Sequence, residues 1–191
     1  MQRREFLELL AGLSALVPGL MGAPAWSEAH ERARATPKLR TLNPLQEATV
    51  TRIADILVPE TDTIGATSVG VTGFIDLLLT DSMLPVDRDR FLEGLEAINA
   101  RSREHYGVPM PAAKLADQEA LLRTLDEKLP RRSPTPAEAR MLAQEPVSAE
   151  RGYAVLKALV LFGYFTAEPV AKVLLITAPI IPGRYDGCIP V

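Results

Sequence analysis

Tyr153–Thr166, with the sequence YAVLKALVLFGYFT, is the most apolar stretch of the chain beyond its amino-terminal region. On a helix, its large apolar side chains cover nearly the whole circumference instead of forming one stripe. Such a helix must be buried on all sides by its own chain or must face a partner. The stretch therefore predicts a buried helix, and it leaves open which surface covers it.

Composition extends this prediction to the whole chain. The 191 residues are 47% hydrophobic but only 5% aromatic, which suits packed helices better than strands. This length corresponds to a single domain with a short appendage. The net charge of −3 gives no strong attraction to phosphate backbones or anionic membranes, so we expect no nucleic-acid partner. We predict an all-α domain.

Apolar periodicity and capping residues divide this domain into about five to six helices. The first begins at the N-cap Asn43, has Pro44 in its first turn and ends at Pro59. The other segments expected to be helical are a stripe from Val71 to Leu78, then Asp87–Tyr106, Asp117–Leu129 with Asp117 as its cap, a short stretch near Ala137–Gln144, and the Tyr153–Thr166 stretch. Pro169 and Pro179 bracket a last short apolar piece. An extended, Pro/Gly-rich tail closes the chain.

The amino terminus indicates export. Arg3, Arg4, Phe6 and Leu7 form a paired-arginine motif, and an apolar run of about a dozen residues and the small-x-small sequence Ala23-Pro24-Ala25 follow it. This arrangement resembles a twin-arginine signal, although the residues flanking the motif depart from the usual pattern. An ordinary secretory signal or an uncleaved tether is the alternative. The apolar run is shorter than the ~20 residues that a membrane-spanning helix needs.

We therefore divide the chain into three parts. Residues 1–25 are the predicted twin-arginine-type signal peptide. Residues 26–42 are charged and lack periodicity, so we expect a flexible lead-in there. Residues 43–191 form the predicted helical domain with its carboxy-terminal docking tail.

Residues that could carry out chemistry are scarce. His30 and His105 are the two histidines and Cys188 is the one cysteine, so this chain alone supplies no zinc, haem or iron–sulfur ligand set. His105 is the histidine expected in the folded part, and a helix-end role explains it more simply than catalysis. The carboxylate pairs Asp87/Asp89 and Glu60/Asp62 are read as a charged helix start and a capped turn.

Cys188 lies in the tail, between Gly and Pro residues that disfavour regular structure. An odd cysteine in an exported protein indicates either pairing with another chain or a free thiol. Both interpretations remain open, whereas a reactive thiol would need a base or a cation besides Arg184.

Three stretches resemble one family. They are Ile56–Ala66 with the helical stripe behind it, Leu161–Glu168, and Pro182–Cys188. These stretches are similar to those of the gluconate 2-dehydrogenase subunit 3 family, the small subunits of bacterial membrane-associated flavoprotein dehydrogenases that act on sugars and polyols. Ile64 and the Ile180-Ile181 pair depart from the family pattern.

The resemblance implies a non-catalytic small subunit with no cofactor of its own. FAD and the substrate pocket would belong to a large dehydrogenase subunit of the GMC type, and a multihaem cytochrome c subunit commonly carries electrons onward. The large subunit would be stabilised by this chain and exported with it through the twin-arginine (Tat) machinery. The complex would then lie in the periplasm, peripheral to the inner membrane.

The expected partner contacts are Cys188, Tyr185 and Arg184 in the tail, Tyr164 and Phe165 on the apolar helix, and Asp62 in the first loop. For the loop, simple turn geometry is an alternative explanation. The competing functional hypothesis is a stand-alone periplasmic small-molecule-binding protein, or a hydrolase that uses His105.

Overall fold

A computed structural model describes residues 23–35, 38–129, 141 and 144–174. These residues form seven α-helices and one 3-10 turn, without strands, which confirms the all-α prediction. The helices are α1 (Ala23–Ala35), α2 (Pro44–Leu57), α3 (Val71–Asp81), α4 (Pro85–Tyr106), α5 (Leu115–Glu127), α6 (Ala149–Thr166) and α7 (Glu168–Leu174), with the 3-10 turn at Met110–Ala112 between α4 and α5. The predicted tail, most of the predicted signal, and all but two residues of the expected short helix at 137–144 lie outside the described residues.

The start of the described chain differs from the flexible lead-in expected over residues 26–42. Helix α1 lies there instead and packs against α3. On the part of α1 whose side chains are described, only Ala29, His30 and Ala33 are not exposed. This face is too narrow to give a detectable apolar period in the sequence. Helix α1 is stabilised mainly by its packing against α3, because its intrinsic helical stability is low.

Helix α2 follows the sequence prediction closely. The Asn43 side chain accepts a hydrogen bond from the Gln46 backbone N–H at 2.9 Å, and the Gln46 side chain accepts one from the Asn43 N–H at 2.9 Å. This reciprocal pair is a capping box. The capping role predicted for Asp117 is wrong. Helix α5 begins two residues earlier than predicted, after Lys114, so Asp117 lies within its first turn.

Helix α6 is the central element of the fold. It contacts α2, α3, α4, α5 and α7, and its contact with α4 is the most extensive. Leu156, Leu159 and Val160 are fully or almost fully buried among these helices. The chain itself therefore covers most of the apolar circumference, which answers the question raised by the Tyr153–Thr166 stretch.

Glycines let α6 approach its neighbours closely. A Cβ on Gly94 of α4 would lie 2.6 Å from the Cα of Gly152, and a Cβ on Gly163 would lie 2.8 Å from the Phe74 ring of α3. Gly152 and Gly163 are eleven residues apart, so they lie on nearly the same face of α6. This face of α6 contacts α4 near the amino-terminal end of α6 and contacts α3 near its carboxy-terminal end.

Buried polar side chains fix the connection between α4 and α5. Asn99 donates a hydrogen bond to Thr49 Oγ1 at 3.0 Å and accepts one from the Met110 backbone N–H at 3.1 Å. The Gln118 amide donates to the carbonyl oxygens of Met110 and Ala113 at 3.1 and 2.8 Å. Because these bonds satisfy backbone groups that have no helical partner, the turn between α4 and α5 can be buried.

Replacing Gly94 with Ala tests the close helix contact. The added methyl group must push the α4 and α6 backbones apart, so we expect the free energy of unfolding to fall by about 2–3 kcal/mol. Urea denaturation with an unchanged m-value measures this change. Gly73→Ala is the matched control, because its Cβ would meet the nearest atom at an ordinary 3.6 Å. The control should be neutral, or more stable by up to about 1 kcal/mol. Equal stability of the two variants would contradict the proposed contact.

Candidate functional site

The loop between α2 and α3 presents polar residues to solvent on a fixed backbone. Residues 59–63 are exposed, whereas Gly65 and Ala66 are buried. The Ala66 N–H donates to the Val58 carbonyl at 3.0 Å, and the Val71 N–H donates to the Ala66 carbonyl at 3.2 Å. These bonds close the base of the loop and hold its exposed tip in place.

Side chains also brace this loop. Thr67 donates a hydrogen bond to Asp55 Oδ1 at 3.1 Å, and Ser68 donates one to Glu60. At the tip, the Thr63 N–H donates to the Thr61 hydroxyl at 3.5 Å. A surface loop with this many internal bonds loses little conformational entropy when it binds a partner.

Tyr164 joins the loop to the central helix. Its hydroxyl donates a hydrogen bond to the Ile64 carbonyl at 3.0 Å, across 100 residues of sequence. The Tyr164 side chain is buried, and the half-buried Phe165 ring meets it edge-on at 5.2 Å. Among the residues predicted to contact a partner, Tyr164 therefore supports the loop from beneath, whereas Asp62 lies on its exposed tip.

A second group of interactions surrounds His30. Its ring is buried and stacks on Phe74, with 4.1 Å between ring centroids and 8° between planes. The Thr166 hydroxyl donates to the Phe162 carbonyl at 2.7 Å, so its oxygen accepts the bond from His30 Nε2 at 3.1 Å. Burial, with a smaller contribution from Arg34, lowers the pKa of His30 to about 4. The imidazole is therefore neutral at pH 7.

Asp76 holds the segment that follows α1. The carboxylate is buried in α3 and accepts backbone N–H bonds from Arg40, Thr41 and Leu42 at 2.8, 2.9 and 2.8 Å. Asp81, at the end of α3, pairs with Arg32 and Arg40 at the surface. The buried carboxylate is the stronger anchor, because exposed ion pairs contribute little stability.

A cavity of about 300 Å³ lies beside this anchor. Its lining comes from α1, α2, the start of α3 and the adjoining loops, and consists of Ala33, Arg34, Leu39, Glu47, Thr51, Thr67, Gly70, Thr72 and Gly73. Thr51 and Thr72, which both line it, share a hydrogen bond at 2.9 Å. Hydroxyl groups therefore dominate its polar lining, with one charge of each sign.

The structure separates the groups expected to act in a hydrolase. His105 is exposed on the last turn of α4, and its ring meets Tyr106 edge-on at 6.1 Å between centroids. Asp89 pairs with the neighbouring Arg88, and Glu60 accepts the bond from Ser68. Within residues 23–35, 38–129, 141 and 144–174, three or more potential metal ligands do not come together.

The other predicted site residues lie outside the described residues. They are Arg3, Arg4, Phe6 and Leu7 of the export motif and Arg184, Tyr185 and Cys188 of the tail. Their roles remain predictions. In the described part of the chain, no helix combines the length and the hydropathy that a membrane span requires.

Sequence reasoning missed the importance of His30 and Asp76. Asp76 interrupts the apolar run from Phe74 to Leu79, and an acidic residue in such a run is a recognisable signal of a buried, hydrogen-bonded carboxylate. His30 gives no comparable signal, because its neighbours in sequence are charged or small.

Comparison with known proteins identifies one family. The sequence pattern of the family described as gluconate 2-dehydrogenase subunit 3 matches residues 44–183, which is 140 of the 191 residues. This match includes the first two stretches that resemble that family and the first two residues of the third, and it excludes α1. No curated protein and no solved structure matches the chain.

The substitution Asp76→Asn tests whether the Asp76 carboxylate anchors residues 40–42 to α3. The amide has one acceptor oxygen where the carboxylate has two, and its NH2 group would face a backbone N–H. We expect unfolding to become easier by about 2–3 kcal/mol in urea. The control Asp81→Asn removes only exposed ion pairs and should cost less than about 1 kcal/mol. A loss at Asp81 as large as that at Asp76 would contradict this assignment.

Tyr164→Phe tests the support of the loop. Removing the hydroxyl leaves the Ile64 carbonyl without this donor, so we expect a loss of about 1 kcal/mol and faster hydrogen exchange at residues 61–66. Tyr106→Phe is the control, because Tyr106 lies on α4 and should leave the loop amides unchanged. If the loop exchanges at its original rate in Tyr164→Phe, the hydroxyl does not hold it.

Proposed function

Because this chain belongs to the gluconate 2-dehydrogenase subunit 3 family, we propose that it is the non-catalytic small subunit of a periplasmic FAD-dependent sugar or polyol dehydrogenase complex. It binds the large flavoprotein subunit, stabilises its fold and directs its export by the twin-arginine route. FAD and the substrate pocket belong to the partner, and a cytochrome c subunit that accepts the electrons completes the complex.

The contact between Tyr164 and Ile64 is the observation that carries this proposal. It joins two of the family-like stretches, Ile56–Ala66 and Leu161–Glu168, into one braced loop with an exposed tip. An exposed loop that is held rigid is suited to binding another protein. The residues that brace this loop do not converge on a reactive group.

The buried ionisable groups are consistent with this role. The His30 imidazole bonds to Thr166, and the Asp76 carboxylate bonds to three backbone amides. Each group is used to hold α1 or the segment after it against the body of the domain. Neither group is therefore positioned as an acid or a base for a substrate.

The interface that we propose combines the loop tip with the tail. Asp62 and its neighbours would contact the flavoprotein from one side, while Arg184, Tyr185 and Cys188 would lie along it, with Cys188 at the boundary between subunits. An obligate interface of this kind buries roughly 2,000 Å² or more, which is larger than the loop alone provides.

The cavity of about 300 Å³ favours a second candidate function. A stand-alone periplasmic binding protein would use its threonine hydroxyls, Arg34 and Glu47 to bind a small polar ligand. Isothermal titration of the purified chain with sugars and sugar acids distinguishes the two functions. The subunit proposal predicts no binding in the absence of the flavoprotein.

Co-expression with a candidate large flavoprotein subunit tests the proposed function. With the chain present, we expect a soluble, FAD-loaded flavoprotein in the periplasm. Without the chain, or with Arg3 and Arg4 both changed to Lys, we expect periplasmic dehydrogenase activity to fall at least tenfold. Equal export and flavin content in the absence of this chain would refute the proposal.

The loop contact can be tested in the same system. Asp62→Lys reverses the charge on the exposed tip and should weaken co-purification with the flavoprotein. Asp89→Lys is the matched control, because Asp89 is also an exposed aspartate but lies on α4. Equal co-purification of the two variants would exclude the loop tip from the interface.

A further inference from the structure

Helix α1 packs along α3, but few of its described side chains are buried there. Of its described side chains, only His30 is buried, at 2% exposure, and Ala29 and Ala33 are half-buried. The remaining side chains, Glu28, Glu31, Arg32, Arg34 and Ala35, are exposed. Among the described side chains of α1, the His30 imidazole therefore makes the most deeply buried contact with the domain.

The environment of that imidazole suits only its neutral form. The flat face of the ring lies on Phe74, and Nε2 donates to the Thr166 hydroxyl. The hydrogen bond to Thr166 is to an uncharged group, and Arg34 on the same helix opposes a second positive charge. Protonation inside this contact would bury a charge whose hydrogen-bond partner is uncharged and which lies close to the Arg34 cation.

The carboxylates near this contact are already engaged. On α7, Glu168 pairs with Lys172 and lies within electrostatic range of Arg34. On α3, Asp76 accepts the amides of residues 40–42, and Asp81 pairs with Arg32 and Arg40. The groups that α6 presents to the ring, Thr166 and Phe162, are uncharged. The described carboxylates therefore do not bond to a protonated His30.

A contact independent of α1 holds the segment before α2 to α3. Asp76 binds the backbone amides of residues 40–42 without involving His30, so we expect α2 to stay attached to α3 when α1 leaves. Helix α1 also lies outside the matched residues 44–183, whereas Phe74 and Thr166 lie inside them. Helix α1 thus covers a surface that belongs to the family domain.

We propose that α1 is an acid-released strap. Protonation of His30 detaches residues 23–35 from Phe74 and Thr166 and uncovers that face of the family domain, while α2 to α6 stay folded. The device operates in the isolated chain, so it does not depend on the proposed flavoprotein partner.

The direction and size of the effect follow from proton linkage. The pKa of His30 is about 4 when α1 is docked and about 6.5, its ordinary value, when α1 is free. Docking is therefore strongest above pH 6.5 and weakens as the pH falls from 6.5 to 4. Between pH 7 and pH 5 the docking equilibrium should weaken roughly 25-fold.

Hydrogen exchange on the purified full chain tests the strap. Protection factors, corrected for the intrinsic effect of pH, should fall roughly 25-fold from pH 7 to pH 5 for amides of α1 that are protected only by docking. They should be nearly unchanged in α4 and α6. The His30→Phe variant retains an aromatic ring on Phe74 but cannot be protonated, so its α1 should keep its protection at pH 5.

An NMR titration of the His30 imidazole gives a second measurement that does not depend on how well His30→Phe folds. A midpoint near pH 4 supports the strap, whereas a midpoint near 6.5 overturns it. The proposal also fails if α1 keeps its protection at pH 5, if α4 and α6 lose protection by the same factor, or if a folded His30→Phe variant loses it equally.

Discussion

Backbone contact between helices is the constraint on which this fold depends. Gly94 meets Gly152 without side chains between them, and Gly163 leaves room for the Phe74 ring. Helix α6 can therefore lie deep between α3 and α4, where its large apolar side chains find partners on every side. Larger residues at these positions would move α6 outward and leave cavities around Leu156 and Leu159.

The interior position of α6 also determines where its last turn lies. Tyr164 comes beneath the loop between α2 and α3, and Thr166 comes beside His30. One turn of one helix therefore supports both the proposed partner-binding loop and the docking of α1. Asp76 adds a separate anchor between them, since it binds backbone amides and depends on neither contact.

The helices were largely predictable from the sequence because their signals are local. Asn43 and Pro44 marked the start of α2, and the apolar stripe of α4 predicted its extent to within two residues. Features that depend on contacts between distant residues were not predictable. The bond from Tyr164 to Ile64 spans 100 residues, and the docking of α1 depends on His30 meeting Phe74 and Thr166. The cap predicted at Asp117 failed because a suitable residue type does not by itself fix the first residue of a helix.

The braced loop has a consequence for the timing of biosynthesis. Its tip lies near residue 62, but its support arrives with residue 164, so a ribosome has to synthesise about a hundred more residues before the loop can take its final form. Incomplete chains therefore display this surface without its brace. A partner protein that recognises the braced loop would bind full-length chains and would not bind truncated ones. Assembly of the complex would therefore select for completely synthesised chains.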